Sequence, residues 1–290
     1  MRTKIRPLVI LTIKNKIMNL LKHKEDLAIK LLRQIPSDDV ELCYSGGKDS
    51  DVILYLARLA GIPFVALYKN TTIDPPGTIK HCHDNEVQVL QPRHTFFELI
   101  ECKGFPTRRV RYCCEILKEY KVKDHAILGI RRMESRQREI RYNEPQICRI
   151  YGNNERVKQY LPILNWTNSE VEEYIKVNNI RLHPLYYDEN GRIDCRRRLG
   201  CMGCPLSSDN GKSDFRKYPK LLKQWLKHGS IWWDTHPNVI SHDKFSSIYA
   251  LMCHNLFFER YKDFVVYDYP VLFGETDWKG LLQDYFKIDL

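Results

Sequence analysis

The hexapeptide Ser45-Gly46-Gly47-Lys48-Asp49-Ser50 gathers residue types that suit a bound anion. Val40 to Tyr44 before it reads as a short strand, and Val52, Ile53, Leu56, Leu59 and Ala60 after it mark one face of a helix that Gly61 stops. A glycine turn between strand and helix aims backbone N–H groups, and the positive end of the helix dipole, at a phosphate. Paired glycines let the backbone approach phosphate oxygens closely. Lys48 adds a flexible positive charge, Ser45 and Ser50 offer hydroxyl donors, and Asp49 or Asp51 offers a carboxylate for Mg²⁺. This is not a Walker A loop, because residue 42 is Leu where the first glycine of that motif stands. Gly-Gly alone would read as a surface turn; the full hexapeptide between strand and helix favours phosphate binding.

A second group of reactive residues is made of thiols. Cys201-Met202-Gly203-Cys204-Pro205 is a C-x-x-C turn, whose spacing lets two thiolates face one metal centre. Cys113 and Cys114 are adjacent, and from a helix both reach such a centre only with distortion. Cys195, six residues before Cys201, competes with one member of that pair. On residue types alone, structural zinc, a dithiol redox pair and plain core packing all stay open. His81-Cys82-His83 falls in a stretch that reads as helix, where positions two apart diverge, so solvated polar residues are expected there. Cys43, Cys102, Cys148 and Cys253 are isolated and expected to be structural.

The elements that must position these groups follow from periodicity. Leu27, Ala28, Leu31, Leu32 and Ile35 predict an amphipathic helix before Pro36, with Met18 opening a helix and the first seventeen residues read as an upstream extension. Further strands are expected at Pro63 to Tyr68, Val87 to Leu90 and Ala126 to Ile130. Strands alternating with helices predict an α/β fold with a doubly wound, mostly parallel sheet, and ligands beyond the carboxyl ends of its strands. Thr167-Asn168-Ser169-Glu170 is a capping box for a helix with Val171, Tyr174 and Ile175 on its apolar face. Phe245, Ile248, Tyr249, Met252 and Leu256 predict one long helix, with another near the C-terminus. The expected division is an N-terminal extension and helix over 1–36, an α/β domain with the cysteines over 37–208, and a smaller helical region over 209–290.

Lys and Arg number 46 against 36 Asp and Glu, a net charge of +10 that favours polyanionic partners. Arginines concentrate at 108–111, 131–141 and 196–198, beside the motifs. A hydrophobic fraction of 43% argues against wholesale disorder, and no apolar run is long enough to span a bilayer. Ten cysteines without a convincing signal peptide predict a reducing, cytoplasmic setting. Trp225, Trp232 and Trp233 beside many lysines suit core packing first and base stacking second.

The loop carries the S-G-G-x-D-S signature and resembles the PP-loop ATP pyrophosphatases. Within them, four segments resemble the phosphoadenosine phosphosulfate (PAPS) reductase branch: Asn70-Thr71-Thr72-Ile73-Asp74-Pro75-Pro76, Gly129-Ile130-Arg131-Arg132-Met133-Glu134-Ser135, Pro162-Ile163-Leu164-Asn165-Trp166 and His183-Pro184-Leu185-Tyr186. The matches run in order from about residue 40 to 208. The resemblance implies an adenine nucleotide α-hydrolase-like fold that binds ATP with Mg²⁺, cleaves it between the α and β phosphates and adenylylates a substrate. By the same resemblance Ser45, Gly46, Gly47, Lys48, Asp49, Ser50, Gly129, Arg131 and Arg132 bind the nucleotide, and Lys48, Asp49 and Ser50 act in catalysis. The CC…CxxC arrangement is similar to the one by which adenylylsulfate reductases hold a [4Fe–4S] cluster. That similarity implies Cys113, Cys114, Cys201 and Cys204 as ligands, with zinc as the alternative. An intact loop joined to these cysteines, with no cysteine after Cys253, resembles ATP-dependent sulfur-insertion enzymes such as DNA phosphorothioation components and tRNA thiolases. The expectation is therefore adenylylation followed by sulfur transfer to a nucleic-acid acceptor, with a cysteine desulfurase as candidate sulfur donor. Sulfonucleotide reduction releasing sulfite, and nucleotide sensing without turnover, are the two alternatives.

Overall fold

The computed structural model describes residues 7–151, 154–257 and 276–290, with side chains from residue 15 onward. In chain order the elements are α1 (Pro7–Arg33), β1 (Val40–Tyr44), α2 (Lys48–Ala60), β2 (Val65–Lys69), α3 (Thr78–Asp84), β3 (Gln88–Leu90), α4 (Phe96–Lys103) and α5 (Tyr112–Leu117). Then come β4 (His125–Leu128), α6 (Arg136–Arg141), β5 (Gln146–Ile150), β6 (Arg156–Tyr160), α7 (Asn168–Val177) and α8 (Lys212–Lys217). The chain continues with α9 (Pro219–Thr235), α10 (Ile240–Lys244), α11 (Ile248–Phe257) and α12 (Trp278–Phe286).

The six strands form one sheet in the order β3-β2-β1-β4-β6-β5. All neighbours are parallel except β5, which runs antiparallel to β6 at the edge. Leu42 in β1 stands between Ala66 of β2 and Ile127 of β4, three apolar residues in register. The strand order reverses at the β1–β4 boundary, which is where open α/β sheets leave a crevice for ligands. The predicted α/β class and its mostly parallel sheet are what the chain forms.

Two compact units interleave along the sequence. The first comprises 1–69, 76–90 and 120–199, and the second 70–75, 91–119 and 200–290. Cys113, Cys114, Cys201 and Cys204 all fall in the second unit with the C-terminal helices. In the first unit the core is built from β1, α2 and α7, with Leu42, Ile53, Leu56, Ile127, Val171 and Ile175 almost fully buried. Helix α1 joins that core through Leu21, Ala28 and Leu32. Lys24 Nζ pairs with Glu170 Oε2 at 2.7 Å and Tyr174 donates to Glu25 at 2.6 Å, tying α1 to α7. The second unit has its own core, in which Phe96, Ile100, Phe215, Leu222, Trp225 and Met252 meet.

Several local expectations are corrected. Helix α1 is continuous from Pro7, so Met18 lies inside it and opens nothing. Phe245 is extended and separates α10 from α11, where one long helix was predicted. Trp225 and Trp232 are buried in the second core, so packing accounts for them. Among the described residues, no helix is long and apolar enough to cross a membrane.

Candidate functional site

The phosphate loop leaves the carboxyl end of β1 at Ser45 and enters α2 at Lys48. Gly46 turns the chain with φ +74°, a left-handed backbone that favours glycine, and a Cβ there would lie 3.1 Å from Leu199. Gly47 is extended and caps α2. The Ser50 hydroxyl donates to the Gly47 carbonyl at 2.6 Å and lies 3.2 Å from the Ser45 hydroxyl, so both serines are held at the turn. The Lys48 amide donates to the Tyr186 hydroxyl at 3.2 Å. Loop, helix start and hydroxyls are therefore gathered at the end of β1, with the dipole of a 13-residue helix behind them.

Asp49 is the charged hub of this arrangement. Arg131 Nε donates to Asp49 Oδ1 at 2.7 Å, a second guanidinium nitrogen reaches Oδ2 at 3.4 Å, and a third donates to Asn168 at 2.8 Å. Lys48 Nζ lies 3.2 Å from the same carboxylate. Arg131 is only 1% exposed, so its fork is fixed by burial as well as by bonding. A Cβ on Gly129 would lie 3.0 Å from the Asp49 carbonyl oxygen, which is why glycine follows β4 there. Arg132 anchors the same turn through its amide, which donates to the Leu164 carbonyl at 3.0 Å.

Asp51 is turned away from this group. It is buried, accepts from the Tyr44 hydroxyl, and lies 2.9 Å from His81 Nε2. Burial raises its pKa. His81 was expected in solvent; it is instead buried because α3 sets it against Asp51, and Cys82 joins the core, while His83 is exposed as predicted. The His81 ring meets His183 edge-on at 5.7 Å, and His183 Nε2 lies 3.4 Å from the Thr78 hydroxyl. Burial pushes the His183 pKa down to about 4.

The second unit brings Cys113, Cys114, Cys201 and Cys204 to one cavity, together with Thr71 and Lys118. Short helix α5 supplies the adjacent pair and the C-x-x-C turn supplies the others. That turn is rigidly seated: Gly203 has φ +71°, and a Cβ on it would lie 2.8 Å from Phe215. Its amide donates to Asp214 at 2.8 Å, and the Met202 amide donates to the Ile73 carbonyl at 2.9 Å. The Cys201 thiol reaches the Thr71 hydroxyl at 3.5 Å. The pKa of Cys114 is held down to about 6 by the hydrogen bond from Cys113 and by Arg111, while burial pushes that of Cys204 up. Burial works against the Lys118 ammonium, but Cys201 and Asp74 beside it raise its pKa. Thiols and cations in this mixture suit a soft metal or an iron–sulfur cluster. Among the described residues, however, no three His, Cys, Asp or Glu side chains stand close enough to hold one metal ion as they are, so ligation requires the thiols to draw together.

Cys195 belongs to the core of the first unit and is not among the residues of this cavity. Cys253 is buried and Cys43 half-buried, but Cys102 and Cys148 are exposed and so are not the structural residues expected. Among the described residues, which include all ten cysteines, there is no disulfide. Sequence reasoning overlooked Tyr186, Asn168, Thr71 and Lys118. Tyr186 ends the His-Pro-Leu-Tyr motif and Asn168 opens a capped helix, so both carried local signals; nothing local marked Lys118.

Residues 39–207 match the family model described as the phosphoadenosine phosphosulfate reductase domain. An uncharacterized protein of Methanocaldococcus jannaschii is 30% identical over 206 residues, covering 64% of this chain and 46% of that protein. Sulfate adenylyltransferase subunit 2 of Agrobacterium fabrum is 30% identical over 207 residues, covering 58% of this chain and 64% of that one. The chain thus spans about half to just under two thirds of the length of these curated relatives. Among solved structures, the U34-tRNA thiolase NcsA from Methanococcus maripaludis with its [4Fe-4S] cluster is similar at a TM-score of 0.39 and 14% identity, over 75% of this chain and 80% of that one.

Proposed function

The chain belongs to the phosphoadenosine phosphosulfate reductase domain family, and on that premise we propose that it splits ATP between the α and β phosphates to activate an acceptor for sulfur. The observation that carries this reading is the intact loop, with the Ser45 and Ser50 hydroxyls, Lys48 and the start of α2 gathered at the end of β1 and Asp49 held by Arg131. An acceptor oxygen bonds to the α-phosphorus, the bond to the bridging oxygen breaks, and pyrophosphate leaves with the electron pair. Lys48 and the loop amides stabilise that departing charge. Asp49 orients Lys48 and Arg131 in the free protein and is the carboxylate offered to Mg²⁺ arriving with the phosphates. A sulfur nucleophile at the oxidation level of sulfide, released from a cysteine desulfurase's persulfide by a thiol reductant that becomes a disulfide, then bonds to the acceptor atom that carried the oxygen. AMP leaves with that oxygen and its electron pair.

Cys113, Cys114, Cys201 and Cys204 would hold a [4Fe–4S] cluster, with zinc the competing occupant; such a cluster would supply an iron to hold the sulfur before transfer only if one of the four thiolates gave way to it. Four thiols on one cavity beside Lys118, with Arg111 next to Cys114, support that assignment. The net charge of +10 supports a nucleic acid as acceptor. The test is anaerobic purification with iron, sulfide and zinc analysis, followed by pyrophosphate release from ATP with tRNA or DNA added. Lys48→Ala should lower release by about 10²–10³ without unfolding the protein. Absence of ATP binding and of pyrophosphate with every acceptor overturns the proposal, and sulfite release independent of ATP replaces it with sulfonucleotide reduction.

A further inference from the structure

Two arginine-rich stretches, distant in sequence, meet on one carboxylate in the first unit. Glu134 Oε2 accepts from Arg138, Glu134 Oε1 lies 3.5 Å from Arg198, and the Arg131 amide donates to Glu134 at 3.3 Å. Segments 131–141 and 196–198 therefore form one surface. It begins at the phosphate loop, because the Arg131 side chain forks onto Asp49.

The composition of this surface is selective. Leaving out the buried Arg131, segments 132–141 and 194–198 hold seven arginines, three acids and no lysine; seven minus three leaves +4 of the chain's net +10. A general solubilising surface has no need to avoid lysine, whereas a planar guanidinium fork matches phosphate oxygens in pairs. The heads are presented outward: the side chains of Arg196, Arg198 and Arg197 are 92%, 71% and 47% exposed. Arg136 is exposed as well. Asp194 and Glu134 each serve two arginines, which fixes the heads without neutralising them.

We infer that this surface binds the sugar–phosphate backbone of a nucleic acid and seats the acceptor at the phosphate loop. The seating role rests on the proposed activation of a nucleic acid; the binding itself does not. The experiment compares the full-length protein with two triple variants. One is Arg136→Ser, Arg196→Ser, Arg198→Ser; the other, Lys220→Ser, Lys223→Ser, Lys227→Ser, removes equal charge from exposed positions of α9. Labelled single-stranded RNA, single-stranded DNA and duplex DNA are titrated across a salt series. For single strands, the arginine variant should bind at least about tenfold more weakly, with a salt slope flatter by about 2 for three lost contacts. The lysine variant should keep both the affinity and the slope, and ATP affinity should be unchanged in both. Equal weakening in the two variants, or no binding of any strand by the wild type, overturns the inference. If arginine-dependent binding appears without any pyrophosphate release, the surface stands and the activity falls. Release with tRNA or DNA that is insensitive to the arginine variant sinks the surface alone.

Discussion

Tyr44 and Asp51, the residues flanking the phosphate loop on either side, are joined by a hydrogen bond from the Tyr44 hydroxyl to Asp51 Oδ1. The bond closes the neck of the loop, and His81 braces it from α3 at 2.9 Å. Asp51 Oδ2 has no hydrogen-bond partner among the described residues, so this carboxyl depends on its two neighbours. Tyr44→Phe removes one of them from a buried group and should destabilise the protein by about 1–3 kcal/mol. ATP binding should weaken with it, because the loop ends are no longer tied. Denaturant unfolding and ATP titration check both effects; wild-type values in each would refute the bracing role.

Arg131 is the second such dependence. Arg131→Met strips Asp49 and Asn168 of their shared partner and should cost about 3 kcal/mol or more, the usual penalty for breaking a buried pair. Arg131→Lys keeps the charge but cannot serve both partners at once, so it should restore only part of the loss. Thermal unfolding of the two variants side by side decides between a charge role and a geometric one. Full rescue by lysine would exclude the fork.

His183 sets an acid limit on stability. Its pKa is about 4 in the folded protein against the ordinary 6.5, because burial disfavours the charged ring. Between those values the unfolded chain binds more protons, so this contribution is complete above pH 6.5 and is lost as the pH falls towards 4. The loss amounts to about 3 kcal/mol at most. His183→Asn should remove that part of the slope, read from unfolding free energies measured between about pH 7 and pH 4; an unchanged slope would place the acid sensitivity elsewhere.

The C-x-x-C turn should be intolerant of a single methyl group. Gly203→Ala demands a left-handed backbone from alanine and a Cβ 2.8 Å from Phe215. The expected cost is about 1–3 kcal/mol, with displacement of Cys201 and Cys204 from the cavity. Melting temperature and bound iron or zinc per protein should fall together. Unchanged metal content in a destabilised variant would separate the turn from any metal centre.

What could be read from the sequence was what neighbours along the chain determine. The strand–glycine–helix order around Ser45, the Gly61 stop and the Thr167–Glu170 capping box all depend on contacts within a few residues, and the structure contains each of them. The partner of His81 lies 30 residues earlier on another helix, and a helical pattern that places polar residues cannot say which of them a distant carboxylate will bury. Lys118 escaped notice for the same reason, since Cys201 reaches it only after the fold closes. The interleaving of the two units was equally invisible. Periodicity assigns elements in order, whereas the second core draws Phe96 and Phe215 together from separate stretches.

That interleaving has a consequence for synthesis. The chain passes between the units five times, and the second unit is completed only by residues 200–290. On the ribosome, Phe96, Leu99 and Ile100 emerge well before Phe215, Leu222 and Trp225, the residues that cover them. The nascent protein therefore carries an uncovered apolar half-core until Phe215, Leu222 and Trp225 have been made. Cys113 and Cys114 wait through the same interval for Cys201 and Cys204, so any metal centre built from all four is loaded only after the C-x-x-C turn has been made.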